Sequence, residues 1–138
     1  MEEHRLYSLR ARDIMNQDFI IVSPLATVQE AVEAMLKCHC HAVIVDRADE
    51  GDAYGMVTYQ EITYRLLAKS LSPARTRVAE IMVKPLIVVT PNLRLPFIAQ
   101  LFARVGIQNA LVIDEHRLAG IISSSDLVRA IAEKGPGD

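Results

Sequence analysis

The chain has 138 residues, with 15 basic and 17 acidic side chains, a formal net charge of −2 and 51% apolar content. Such a composition excludes a disordered chain, and the charge balance argues against non-specific binding along a nucleic-acid backbone. No apolar run approaches the ~18 residues that a membrane span needs.

In chain order, Met1-Glu2-Glu3-His4-Arg5 lacks the apolar core of a secretory signal, so the expected location is cytoplasmic. Ile20 to Val22 is β-branched and stops at Ser23-Pro24, which predicts a short strand. Thr27-Val28-Gln29-Glu30 fits a capping box, in which hydroxyl and carboxylate each satisfy a free amide. Val28, Ala31, Val32, Met35 and Leu36 follow on one helical face. Two strands around a polar turn come next, Ala42–Val45 and Tyr54–Val57, then a helix carrying Ile62, Leu66 and Leu67. Lys69 to Arg75 reads as a linker. The pattern then returns. Leu95, Ile98, Ala99, Phe102 and Val105 form a helix face, with Pro96 tolerated in its first turn. Ala110–Ile113 and Leu118–Ile122 are strands, and Leu127, Val128 and Ile131 mark the last helix. Gly135 to Asp138 reads as a frayed tail.

The correspondence is internal repetition. Asp13-Ile14-Met15 returns as Glu80-Ile81-Met82, and Ile20-Ile21-Val22-Ser23-Pro24 as Ile87-Val88-Val89-Thr90-Pro91. His41-Ala42-Val43-Ile44-Val45-Asp46 matches Asn109-Ala110-Leu111-Val112-Ile113-Asp114. Gly55-Met56-Val57-Thr58-Tyr59-Gln60-Glu61 matches Gly120-Ile121-Ile122-Ser123-Ser124-Ser125-Asp126. Units of about fifty residues cannot bury a sheet and its helices alone. The expected fold is therefore α/β (α+β), two pseudo-symmetric β-α-β-β-α motifs packed sheet to sheet. The expected boundaries are residues 1–68 for the leading segment and first motif, 69–77 for the linker, 78–132 for the second motif and 133–138 for a flexible tail.

These four signatures, present twice and in order, resemble a tandem pair of CBS motifs, named after cystathionine β-synthase. The resemblance covers roughly residues 9–132 and implies a stand-alone Bateman module with two clefts. It implies an adenine nucleotide (AMP, ADP or ATP) as regulatory ligand, with no obligatory cofactor, and an unknown regulated protein as partner. It also implies a homodimer, and apolar positions Leu66, Leu67, Leu127 and Ile131 on the closing helices suit a two-fold contact. Neither nucleic acid nor membrane is an expected partner.

The sharpest local feature is Gly120 to Asp126, where a strand passes into a helix. Free amides and the positive end of the helix dipole converge there, which suits a phosphate. Ser123 and Ser125 offer hydroxyl donors, Gly120 offers close approach, and the Asp126 carboxylate can accept two hydrogen bonds from a ribose diol. The resemblance makes Asp126 the ribose ligand, places Asn109 toward phosphates, includes Ile121, and uses Ile14 to Ile20, with Phe19, as the adenine wall. The second cleft would hold Thr58, Glu61, His41 and Ile81. His41 there matches Asn109, so phosphate affinity at that cleft would depend on pH. Glu61 departs from the usual Asp by one methylene. Ser/Thr-x-x-Asp/Glu is equally a helix cap, so capping stands beside ligand binding as a reading of both segments.

Cys38-His39-Cys40-His41 contains zinc-ligand types. Four adjacent residues cannot all face one ion on a helix or strand, so no metal site is assigned. Only Cys38 with Cys40, or His39 with His41, alternate suitably. Adjacent positions on one helix or strand make a poor disulfide, so both cysteines are expected reduced, with Cys40 packing as a small hydrophobe. Arg65, Arg104, Arg117 and Arg129 read as solvated. No Ser-His-Asp arrangement, P-loop or H-E-x-x-H motif supports an enzyme.

Overall fold

The structure, a computed structural model, describes residues 5–84 and 87–134; the expected tail at Gly135 to Asp138 lies outside them. In chain order the elements are α1 (Arg5–Ser8), α2 (Ala11–Ile14), β1 (Ile20–Val22), α3 (Val28–Cys38), β2 (Ala42–Val45) and β3 (Gly55–Thr58). A helical segment follows in three conformations: α4 (Tyr59–Glu61), a π turn (Ile62–Leu66) and a 3-10 turn (Leu67–Lys69). Then come α5 (Val78–Ile81), β4 (Val88–Val89), α6 (Leu95–Val105), β5 (Asn109–Asp114), β6 (Arg117–Ser123) and α7 (Ser124–Lys134).

Each copy builds a three-stranded sheet in chain order, one β1-β2-β3 and one β4-β5-β6. The first pair in each is parallel and the second antiparallel, as a strand–helix–strand–hairpin path requires. The compact units do not follow the sequence halves. One joins Met1–Gln17 to Ile87–Asp138, and the other is Asp18–Leu86. Each unit thus takes its leading helix from the opposite copy.

The attachment is the same in both units and runs through backbone. In the unit of the second copy, Ala11 N–H donates to Leu93 O at 2.9 Å and Arg12 N–H to Pro91 O at 3.0 Å, while Leu95 N–H donates to Leu9 O. In the unit of the first copy, Val78 N–H donates to Ala26 O, Ala79 N–H to Pro24 O, and Val28 N–H to Thr76 O. Helices α3 and α6 each begin with amides that lack helical acceptors, and these carbonyls supply partners for the first of them. The linker is accordingly docked: Gln29 N–H donates to Pro73 O, and Thr76 is buried.

The capping box at Thr27 forms as read, with Thr27 N–H donating to Glu30 Oε1 at 2.9 Å and Glu30 N–H to Thr27 Oγ1 at 3.1 Å. The Thr27 amide, and after it the Thr27 hydroxyl, which donates to the same oxygen at 3.0 Å, hold the Glu30 carboxyl below its ordinary pKa. The core of the first-copy unit gathers Val28, Ala31 and Met35 of α3, Val43 and Val45 of β2, and Leu66. That of the second-copy unit gathers Ile98 and Phe102 of α6, Ala110 and Val112 of β5, and Ile122 of β6. Three expected core positions are instead exposed: Leu36, Ala99 and Val105. They sit at the edge of the apolar stripe, where an 11-residue helix turns its last row away from the sheet.

Candidate ligand-binding site

Strand β6 ends at Ser123 and α7 begins on the next residue, so Ser123 stands at the helix N-cap. Asp126 N–H donates to Ser123 Oγ at 3.3 Å. In return, Asp126 Oδ2 accepts from Ser123 N–H at 2.8 Å and from Ser123 Oγ at 2.9 Å. Ser125 Oγ lies 2.8 Å from Ser123 Oγ. The second carboxylate oxygen, Asp126 Oδ1, accepts from Arg129 Nη1 at 3.0 Å. Asp126 is only 7% exposed, so these donors rather than water satisfy its oxygens.

Asn109 pairs with Ser123 across the β5–β6 hairpin, which sets it beside this N-cap. Ile121 is buried and exchanges backbone bonds with Asn16, whose N–H donates to Ile121 O at 2.7 Å. Ile14 is half-buried and packs against the core of this unit. The space expected for a ligand above Gly120 is taken by the chain itself. A Cβ on Gly120 would stand 2.9 Å from Met15 Sδ and 3.0 Å from Asn16 O. The glycine there admits the leading segment. Ile14, Asn109, Gly120, Ile121, Ser123, Ser125 and Asp126 therefore share one unit, whereas Phe19 and Ile20 belong to the other, where Ile20 opens β1 and packs on that core.

The first-copy unit repeats the arrangement with differences. Glu61 Oε1 accepts from Thr58 N–H and Thr58 Oγ1, both at 2.7 Å, and Gln60 N–H donates to Thr58 Oγ1 at 3.2 Å. No guanidinium meets Glu61 among the described residues, because Tyr64 holds the place of Arg129. His41 precedes β2 and packs edge-on to Tyr59, with ring centroids 5.5 Å apart. Ile81 is buried in the core of the unit. A Cβ on Gly55 would meet Met82 Sδ at 2.5 Å, the counterpart of Gly120 against Met15.

Arg129 is solvated as expected, with 57% of its side chain exposed, and in addition it pairs with Asp126; their i,i+3 spacing carried that signal. Arg65 likewise donates to the carbonyl of Met82 at 3.1 Å. The cysteines expected to be reduced are joined as a Cys38–Cys40 disulfide, with Cα atoms 5.2 Å apart. The expectation assumed one continuous helix or strand. His39 instead adopts left-handed backbone (φ 57°, ψ 35°) at the end of α3, which turns Cys40 back toward Cys38. Among the described residues, no group of three or more His, Cys, Asp or Glu side chains could hold a metal ion. Nor is any of their helices long and apolar enough to cross a membrane.

The CBS domain family model matches this chain twice, at residues 11–68 and 78–133. The CBS domain-containing protein YhcV of Bacillus subtilis (strain 168) is 32% identical over 116 residues, spanning 84% of this chain and 81% of YhcV. Among solved structures, a hexameric CBS-CP12 protein from bloom-forming cyanobacteria is 39% identical with a TM-score of 0.84, covering 93% of this chain and 75% of that one. Hypoxic Response Protein I, solved with two coordinated zinc ions, is 28% identical with a TM-score of 0.69, covering 87% of this chain and 97% of its own. The chain belongs to the CBS-domain family and carries two CBS domains in tandem. It is a CBS-pair module, a class that is generally regulatory or ligand-binding.

Proposed function

We propose that this CBS pair is a regulatory module that binds an adenine nucleotide at the Ser123–Asp126 segment and signals to a partner protein. One observation carries the reading: at the start of an 11-residue helix the Ser123 hydroxyl lies 2.9 Å from a nearly buried carboxylate and 2.8 Å from the Ser125 hydroxyl. Hydroxyls and the helix N-terminus favour phosphate, and Asp126 Oδ1 faces a cation that a ribose hydroxyl can replace as donor. Asn109 adds an amide beside them. The Glu61 segment is the weaker candidate, because its carboxylate meets no cation among the described residues and its wall residue Ile81 is packed in the core.

The test is a thermal-shift panel of AMP, ADP, ATP and S-adenosylmethionine. A ligand at about 100 times its Kd stabilises the folded state by ~2.7 kcal/mol, a rise of about 5–10 °C for a chain of this size. Asp126→Ala should abolish most of that rise, and Glu61→Ala should leave most of it.

A scaffolding module with empty clefts is the second reading, favoured by the fact that both Asp126 oxygens are already engaged within the chain. It forecasts no shift with any adenylate, and only loss of a cap, ~1 kcal/mol, in Asp126→Ala. Either reading accommodates a homodimer. Leu67, Val128 and Ile131 leave apolar surface exposed on the closing helices, whereas Leu66, expected on that face, is buried. Light scattering at micromolar concentration should return a dimer.

A further inference from the structure

We propose that Cys38 and Cys40 are a reversible dithiol–disulfide site, opened by a thiol reductant without unfolding the chain. The inference does not depend on nucleotide binding. It starts from a comparison within the molecule. Helix α3 ends at His39 as α6 ends at Gly106, both in left-handed backbone. His39 N–H and Cys40 N–H close on Met35 O, just as Gly106 N–H and Ile107 N–H close on Phe102 O. The second copy has Val105 and Ile107 where the first has Cys38 and Cys40. The turn therefore forms on backbone hydrogen bonds alone, and the sulfur bridge is an addition to a turn that stands without it.

That turn also brings the side chains flanking it together, which explains why neighbours two apart can bond. Cys38 is half-buried and within reach of a nucleophile, while Cys40 is buried. Attack by an external thiolate falls on Cys38 Sγ. The Cys38–Cys40 bond breaks, a mixed disulfide forms at Cys38, and Cys40 leaves as a thiolate that takes a proton. Cys40 Sγ lies 3.5 Å from the carbonyl oxygen of Asp18, which can accept the new S–H. A second thiolate attacks the external sulfur of the mixed disulfide and leaves as the oxidised reductant, and Cys38 takes the second proton. In sum, two thiols are oxidised to one disulfide, and one protein disulfide is reduced to two thiols.

The bridge spans a loop of three residues, so it restricts the unfolded chain little, and its loss should shift melting by less than about 5 °C. The local effect is larger in position than in stability. Cys40 leads directly to His41, which packs on Tyr59, and Ala42 pairs with Thr58, so the oxidation state is transmitted to the N-cap of the first copy.

The experiment uses the full chain purified without reductant and analysed by intact mass and native thiol alkylation. We expect no alkylatable thiol at first. With dithiothreitol, the mass should rise by two hydrogens and two thiols per chain should appear, while a thermal melt shows the fold retained. Transfer to oxidised glutathione should restore the starting mass, and the His41 ring resonances should differ between the two forms. Arms with glutathione and with a protein dithiol distinguish a small-molecule from a protein reductant. Cys38→Ser and Cys40→Ser should each abolish the two-hydrogen transition; in oxidised glutathione Cys40→Ser should stop at the mixed disulfide on Cys38, whereas Cys38→Ser should keep its buried Cys40 thiol unmodified. Two thiols that stay free in oxidised glutathione, closure between chains, arrest of the unsubstituted protein at the mixed disulfide, or a bridge that opens only on unfolding would each overturn the proposal.

Discussion

The two units are built from the same repeat, yet their closing helices differ. After β6 the chain runs through 11 residues of regular α-helix. After β3 it makes one α turn, widens to a π turn over Ile62–Leu66, tightens to 3-10 and ends with Ser70 in left-handed backbone. The cause lies in side chains. Thr63 Oγ1 donates to Tyr59 O at 2.7 Å and competes with the helical ladder, and it follows another β-branched residue, Ile62. A π turn holds one residue more than an α turn, so the side chains beyond it rotate. Leu66 comes to rest in the core and Leu67 outside it, 60% exposed. A repeat thus conserves the frame while one hydroxyl changes which leucine is buried. The same lesson applies at the N-caps. Asp126 has an arginine one turn later, Glu61 has Tyr64, and so two similar capping boxes present different charge.

The sharpest way to break this comparison is to remove Leu66. Leu66→Ala should cost about 2–5 kcal/mol, whereas Leu67→Ala should leave chemical denaturation of the monomer nearly unchanged. Equal effects would mean that the helix is regular.

The glycines against the leading segments come next. Gly120→Ala drives a Cβ toward the Asn16 carbonyl, a backbone atom, and should cost about 1–3 kcal/mol. Gly55→Ala should cost less, because its nearest obstacle is the movable end of the Met82 side chain. Urea midpoints of the two variants decide it.

Smaller again are the caps. Ser123→Ala and Thr58→Ala should each lose ~1 kcal/mol of stability by thermal melting. Only Ser123→Ala should also weaken an adenylate shift.

The smallest effect is a pH dependence confined to the first-copy unit. Asp52 accepts from the Ala48 amide and pairs with Lys84 at 2.7 Å, which together lower its pKa to about 2. A lowered carboxylate stabilises the fold fully above its unfolded pKa and loses that contribution as pH falls through the folded one. Stability from Asp52 is therefore complete above about pH 4 and lost toward pH 2, and Asp52→Asn should flatten that part of an acid titration followed by circular dichroism.

What the sequence determined by itself was local. The Thr27 box, the strands, the αβ alternation and the Ser123–Asp126 pair all depend on residues within four positions of one another, where side-chain chemistry and backbone need coincide. Repetition then multiplied weak motifs into a family resemblance that the CBS matches confirm. Tertiary structure alone decided which leading helix joins which sheet. The bonds that do so, Ala11 to Leu93 and Val78 to Ala26, are made by backbone groups that every residue carries, so no side chain announces them. The Cys38–Cys40 bridge also escaped the sequence, because it depends on the left-handed backbone of His39, a conformation histidine takes uncommonly and that the His39 and Cys40 amides hold by closing on Met35 O.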